Sequence, residues 1–383
     1  MVISNEKTFS EKLFVNIIFR VDGRRKYILS GPIRGGGIVA MKAMLLENFG
    51  HPLKYRDVPD PAPGYGEVVL DVEACGVCHS DLKIVSGRHP NCSKIQLPFI
   101  PGHEIAGRVC SVGEGVTEWK KGDRALVSIY MGCLQCESCR AGAEQLCESE
   151  EQRIIGFSVN GGYAQNVKVR ERNLVRLSEK LPGPEAAVIT DAIGTSWRAA
   201  FDAAQVTGGQ KALVIGLGGI GVHLAQILNA SGLDVEICEA CGEKLSAAGE
   251  LGLDKVFCGY ASDMPKDKKY DVIFDVTGKI MDYDDLLSRI KRRGKLVMVG
   301  YSVDRKSSFL TSITHVNEIS LIGTRGYSVK NLKDALDMVE RGKIRPVVGA
   351  VHPLEDANEV LRQLKEGYSL CGRLVLVPKG AAI

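Results

Sequence analysis

A chain of 383 residues with 45% hydrophobic and 25% charged residues is long enough for two domains, each with its own core. Its net charge of +3 is too small at this length to call for a nucleic-acid or membrane-surface partner. No apolar run approaches the roughly 20 residues that span a bilayer.

The first forty residues differ in character from the rest. The apolar run LFVNIIF (13–19) lacks the small-residue cleavage site of a secretory leader. FRVDGRRKYI is expected to form a hairpin about Asp22-Gly23. Met41 opens a stretch, MKAMLLENFG, that reads like a fresh protein start, and purine-rich codons for RGGG would suit a ribosome-binding site just before it. Residues 1–40 are therefore expected to be an extension outside the native protein. From 41 to about 190, short β-rich runs such as EVVLDVEACGV, EIAGRVCSVG and DRALVSIY alternate with Pro and Gly punctuation.

Within that segment GCLQCESCRAGAEQLC spaces Cys133, Cys136, Cys139 and Cys147 as C-x2-C-x2-C-x7-C. Four thiolates can close a tetrahedral zinc site with no open position, so the site is expected to be structural. A redox pair or an iron–sulfur cluster is the competing use of such spacing. Twelve cysteines, clustered and without a convincing leader, point to a reducing cytosol and a cytoplasmic protein. Further on, VITDAIGTSW (188–197) holds one ionisable group, Asp191, among apolar and small residues. It is either a satisfied structural carboxylate or a metal ligand.

From about 193 strands and helices alternate. KALVIG (211–216), DVEIC (234–238), KVFCG (255–259), DVIFDV (271–276), KLVMVG (295–300) and SLIGT (320–324) read as strands, which with helical crossovers give a doubly wound parallel sheet. Directly after the first of them, Gly216, Gly218 and Gly221 fall in G-x-G-x-x-G spacing, and an amphipathic helix follows. The glycines permit a tight turn and close approach of a pyrophosphate to the helix N-terminus. Glu239, 18 residues past Gly221, ends the second strand, where a carboxylate accepts from ribose hydroxyls and repels a 2′-phosphate. Lys244 is within reach of the same ribose. NAD is expected rather than NADP.

On ACGVCHSD, PGHEIAG, the four-cysteine segment, GLGGIG and the terminal GRLVLV, residues 41–383 resemble the zinc-dependent alcohol dehydrogenases of the medium-chain dehydrogenase/reductase superfamily. The resemblance implies an α/β protein in which a GroES-like β-rich catalytic domain is interrupted by a Rossmann domain. The implied boundaries are 41–192 for the first catalytic part, 193–324 for the nucleotide domain, and 325–383 for the returning segment. It also implies one catalytic and one structural zinc, NAD as cofactor, a small alcohol or carbonyl substrate, and a homodimer or homotetramer.

Residue by residue, the resemblance makes Cys78 and His103 two catalytic zinc ligands and Glu104 the acidic neighbour that approaches the metal during ligand exchange. Ser80 becomes the hydroxyl that takes the substrate proton, and Asp81 the partner that orients His103. His79 and Arg373 fall at pyrophosphate-contact positions, and Thr195 beside the nicotinamide. Two departures stand out. Lys83 occupies the place where many relatives carry a histidine proton relay. Asp191 falls where the family's second cysteine ligand stands, replacing a soft sulfur by a harder oxygen. The expected activity is hydride transfer between an alcohol or polyol and its carbonyl and NAD(H). The alternatives are an NAD(P)H-dependent reductase of activated double bonds without catalytic zinc, and a non-catalytic nucleotide-binding protein on the same scaffold.

Overall fold

The computed structural model describes residues 40–368 and 370–381 in full, preceded by the backbone of strands Val2–Glu6, Phe14–Val21, Arg24–Arg34 and Gly37–Ile38. Phe14–Val21 and Arg24–Arg34 pair antiparallel with Val21 opposite Arg24, as a hairpin requires. The turn residues Asp22 and Gly23 lie outside the described residues. By internal contacts the chain forms two units: Met1–Thr190 with Ala350–Gly367 and Leu374–Ile383, and Asp191–Gly349 with Tyr368–Arg373. Among the described residues no helix is long and apolar enough to cross a membrane.

The first unit begins with the antiparallel pair β1 (Ala40–Leu45) and β2 (Lys54–Pro59). Its main sheet is built on β3 (Glu67–Val77), from which α1 (His79–Val85) departs. β4 (Glu104–Val112), β5 (Arg124–Val127), β6 (Asn166–Arg170) and β7 (Leu174–Arg176) follow, then helix α2 (Gly183–Val188). The run EVVLDVEACGV explains why β3 is central. Val68, Val69, Leu70, Val72, Ala74, Cys75 and Val77 are all buried, so both faces of the strand are covered. β3 pairs with β4 and β6, and the register sets Gly76 opposite Glu104.

The second unit opens on α3 (Gly194–Arg198) and contains β8 (Lys211–Ile215), α4 (Gly219–Ala230), β9 (Asp234–Glu239), β10 (Val256–Cys258), β11 (Tyr270–Asp275), β12 (Ile290–Met298) and β13 (Ser320–Gly323). These six strands are the six expected from the sequence. They pair in parallel in the order β10-β9-β8-β11-β12-β13. Strand order reverses at β8 and β11, the place where doubly wound sheets bind ligands. Leu213, Ile273, Leu287 and Leu296 form part of the core packed against this sheet.

One boundary differs from expectation. The second unit runs to Gly349, rather than ending at 324, and takes Tyr368–Arg373 as well. The reason is α5 (Val329–Glu340), whose Leu332, Ala335, Leu336 and Val339 are buried and which packs on α3. Asn331 Nδ2 adds a bond to Asp202 Oδ2 at 2.9 Å. Two last strands, β14 (Val348–Pro353) and β15 (Arg373–Val377), extend the first unit's sheet beyond β3.

Candidate metal centres and dinucleotide loop

The four thiols Cys133, Cys136, Cys139 and Cys147 converge, with their sulfurs all within 4.8 Å of one another. The loop is shaped to bring them together. Leu134 adopts a left-handed φ of 65°, which turns the N–H groups of Gln135 and Cys136 back onto Cys133 Sγ at 3.4 and 3.3 Å. Cys133 N–H in turn donates to Cys147 Sγ at 3.4 Å. The N–H of Cys136, then that of Gln135, pull the Cys133 thiol down to about 6. Burial pushes Cys139 up to about 12. A Cβ on Gly132 would stand 2.6 Å from Cys139 Sγ, so the chain leaves no room for a side chain beside the cluster. A tetrahedral zinc with bonds of about 2.3 Å needs sulfurs roughly 3.8 Å apart, which this span accommodates. The donor set fits a structural zinc.

A second cluster lies at the end of β3. Cys78 is the N-cap of α1, and Asp81, three residues on, accepts the Cys78 N–H through Oδ2 at 2.9 Å. Tyr163 O–H donates to the same oxygen at 3.0 Å, and His103 Nδ1 stands 3.2 Å from Oδ1. Asp81 is fully buried, and these three donors account for how a carboxylate survives there. The contact fixes the imidazole with its Nδ1 proton on Asp81. That leaves Nε2 as the metal-binding atom. The ligand atoms of Cys78, His103 and Glu104 lie within 4.8 Å of one another, and His103 Nε2 is 4.0 Å from Glu104 Oε1. Burial works against a charged His103, but the charge and hydrogen bond of Asp81 outweigh it and hold its pKa well above the usual imidazole range. Gly76 exists for Glu104, since a Cβ there would be 2.0 Å from Oε2.

Sequence reasoning missed Tyr163. The Phe157 ring lies 4.5 Å from the His103 ring and 5.0 Å from that of His89. Elsewhere, Trp119 stacks under Arg176 in the first unit, and Trp197 packs on Phe201 in the second. Within α1, His79 is exposed while Ser80 and Lys83 are half-buried.

Asp191 is the first residue of the second unit and lies in a wide π-helical turn, Ile189–Ile193, that continues from α2. Such turns re-aim side chains and recur at functional sites. Its Oδ1 accepts from Thr195 Oγ1 at 2.8 Å and its Oδ2 from Arg373 Nη2 at 3.1 Å.

The glycine loop joins β8 to α4. Gly216 has a φ of +99°, and a Cβ on it would meet Thr277 Cγ2 at 2.8 Å. A Cβ on Gly221 would stand 1.9 Å from the Gly216 carbonyl oxygen, so only glycine lets helix and strand close together. Gly218 is different. Its φ of −87° suits any residue, and a Cβ would meet no protein atom within 4 Å. The space it keeps open is the space a bound pyrophosphate needs, so the loop fits a dinucleotide. Glu239 ends β9 with Oε2 accepting Leu217 N–H at 2.6 Å and Oε1 accepting Cys241 N–H at 2.9 Å. Lys244 Nζ is 3.7 Å from the same carboxylate.

A β-rich unit with two thiol-bearing side-chain clusters suited to metal, and a parallel-sheet unit with a dinucleotide loop, fit the class of metal-using, dinucleotide-dependent oxidoreductases. Comparison with known proteins narrows the class. Residues 64–179 match the alcohol dehydrogenase GroES-like domain, and residues 219–341 match the zinc-binding dehydrogenase model. An alcohol dehydrogenase of Geobacillus stearothermophilus is 35% identical over 345 residues, 88% of this chain and 99% of that protein. An NAD-dependent alcohol dehydrogenase of Sulfurisphaera tokodaii is 33% identical, covering 88% of this chain and 100% of the relative. The cobalt- and zinc-bound thermostable alcohol dehydrogenase of Pyrobaculum aerophilum superposes with a TM-score of 0.81 at 28% identity, covering 89% of this chain and 100% of that one. The chain belongs to the zinc-dependent alcohol dehydrogenase family of the medium-chain dehydrogenases.

Proposed function

We propose that this protein is an NAD- and zinc-dependent alcohol dehydrogenase, interconverting an alcohol or polyol and its carbonyl, with Cys78, His103 and Asp191 holding the catalytic zinc. The observation that carries the reading is the buried set of Cys78, His103 and Glu104 with Asp81 fixing the Nδ1 of His103, an arrangement that serves a metal on Nε2. Asp191 follows Thr190 directly on a helix whose first segment, α2, is packed on β3 and β4 of the same unit as Cys78 and His103. Thr190 and Asp191 are therefore held by the same helical backbone.

When bound, zinc polarises the substrate oxygen and the nicotinamide takes up or gives the hydride. The chain's own groups do the rest. Cys78, His103 and Asp191 supply one thiolate, one neutral imidazole and one carboxylate, which together balance the charge of Zn²⁺. Ser80 Oγ takes the alcohol proton. Glu104 stands beside His103 as an exchangeable acidic neighbour. Gly218 leaves room for the pyrophosphate, with His79 and Arg373 as phosphate contacts and Thr195 beside the nicotinamide. Glu239 and Lys244 receive the adenosine ribose, and the carboxylate favours NAD over NADP. The three cysteines with the shared spacing, and Cys147, hold the second, structural zinc.

We also propose assembly as a homodimer or homotetramer, supported by the edge of the second unit's sheet at β13, which has no further partner strand among the described residues. The gathering of four of the twelve cysteines in one metal-type loop supports a cytoplasmic setting, where such clusters bind metal rather than form disulfides. The test is metal analysis with an NAD⁺-reduction screen over primary, secondary, cyclic and polyhydroxy alcohols. Two zincs per chain and alcohol-dependent NADH formation are expected. One zinc with reduction of activated double bonds would instead support the zinc-free reductase reading. NAD binding without turnover would support a nucleotide-binding protein.

A further inference from the structure

Arg373 has a place of its own among the site residues. It is 5% exposed and ends the short segment that the chain returns to the second unit, its N–H donating to the Val347 carbonyl at 2.9 Å. Its guanidinium reaches in two directions. Nη2 donates to Asp191 Oδ2 at 3.1 Å, while Nη1 lies so close to the first residue of α4 that a Cβ on Gly219 would stand 2.7 Å from it. One cation therefore touches the carboxylate assigned to the zinc and the helix end assigned to the pyrophosphate.

We infer that Arg373 couples the two sites, so that dinucleotide binding strengthens Asp191 as a metal ligand. The inference rests on the reading of Asp191 as a zinc ligand. A guanidinium is a rigid fork of five N–H donors that binds carboxylate and phosphate alike. Without dinucleotide it is spent on Asp191, where it neutralises part of the charge on Oδ2. A pyrophosphate at the N-terminus of α4 competes for the same donors, because its charge is drawn there by the helix end as well. As the guanidinium turns to phosphate, Asp191 keeps Thr195 on Oδ1 and recovers Oδ2 as a donor to the metal. Linkage makes the effect mutual: zinc tightens dinucleotide binding by the factor by which dinucleotide tightens zinc. The carboxylate is essential to the device, since it offers Arg373 an oxygen, Oδ2, separate from the one held by Thr195, whereas a metal-bound thiolate has a single soft sulfur that accepts hydrogen bonds only weakly.

The experiment uses the full-length zinc-loaded enzyme and ADP-ribose, which supplies the pyrophosphate but no nicotinamide. Release of the catalytic zinc to a chelator is timed with and without saturating ADP-ribose, and the d–d spectrum of the cobalt-substituted catalytic site is recorded in parallel. ADP-ribose is expected to slow release about 10-fold, within the usual range of coupling between sites, and to shift the cobalt spectrum. In Arg373→Gln, saturated with ADP-ribose as checked by titration, release should no longer respond. Asp191→Cys should keep two zincs yet lose the response, and it covers the case in which Arg373→Gln binds ADP-ribose too poorly to saturate. An unchanged release rate in the parent enzyme, or a full response in Asp191→Cys, overturns the coupling. Asp191→Ala keeping two zincs would overturn the ligand assignment itself, which is a separate result.

Discussion

Asp81 shows how much a single buried carboxylate can organise. Its two oxygens collect Cys78 N–H, the Tyr163 hydroxyl and the His103 ring, so the ligand-bearing residues on either side of a long loop are tied to one group. Tyr163 is the member that no local pattern announces. Removing its hydroxyl leaves Asp81 Oδ2 with one donor in a site without solvent. Partners of metal-ligating histidines of this kind typically contribute 10–100-fold in metal affinity. Tyr163→Phe is expected to release the catalytic zinc at least about 10-fold faster to a chelator while the four-cysteine zinc stays in place; equal release rates for the catalytic zinc would show that the hydroxyl is idle. A second residue carries a pH dependence. His223 is wholly buried, with Nδ1 2.5 Å from the Gly219 carbonyl oxygen and Nε2 accepting Val347 N–H at 2.9 Å. Burial, opposed by the Gly219 bond and reinforced by Arg373, lowers its pKa to about 4. The unfolded chain takes up this proton near 6.5 and the folded chain only near 4. Stability from neutral His223 is thus intact above about pH 6.5 and is lost as pH falls toward 4, by about 3 kcal/mol in all. His223→Gln, which keeps an acceptor for Val347, should flatten the fall of Tm over that interval.

At the scale of elements, the glycine loop separates two requirements that its spacing alone merges. Gly221 is required by the protein, because any Cβ runs into the Gly216 carbonyl. Gly218 is required only by a ligand. Gly221→Ala should lower Tm and weaken cofactor binding together, since β8 and α4 must part; overpacking of this kind costs about 1–3 kcal/mol. Gly218→Ala should leave Tm within a degree or two and raise the NADH dissociation constant at least about 10-fold by fluorescence titration. A Gly218→Ala protein that binds NADH normally would mean the open space serves something else. The contrast also marks what was legible in the sequence. The strands of the second unit could be read because each is a short apolar run closed by Gly, Pro or charge, a signature that burial on both faces explains for the inner strands β8 and β11. The four-cysteine lobe was legible because its geometry is local. Tyr163 and Asp81 are 82 residues apart, and Arg373 and Asp191 are 182 apart, so neither pairing leaves a spacing to read. The one hint was the pair Gly161-Gly162 before Tyr163. A Cβ on Gly161 would stand 1.9 Å from the Gly102 carbonyl oxygen, which is the close approach that zips this loop to the one carrying His103.

For the whole molecule, the boundary between units was the hardest feature to read. α5 follows the last strand as any returning helix would, and only its buried face against α3 assigns it to the second unit. The sheet of that unit ends on β13, a strand of four residues whose far side has no partner strand among the described residues. An edge of this kind invites pairing with another chain unless charge, proline or a covering element blocks it. Here the neighbouring segment does the opposite. Phe309, Leu310 and Val316, on and beside the helix that leads into β13, are 40%, 59% and 66% exposed. Three large apolar side chains beside a strand edge without a partner among the described residues are poorly suited to water, and the proposed homo-oligomer would cover them with a second copy of the same surface across a twofold axis. The double variant Leu310→Asp with Val316→Asp places like charges at that junction and is expected to shift the mass in solution to that of one chain, with zinc content at two per chain and the near-neutral Tm lowered in a concentration-independent way. The parent Tm should instead rise with protein concentration, as it does when folding and assembly are linked. A parent mass of one chain by light scattering would overturn the proposed assembly itself, and a variant that keeps an oligomeric parent mass would show that the edge at β13 is not the contact.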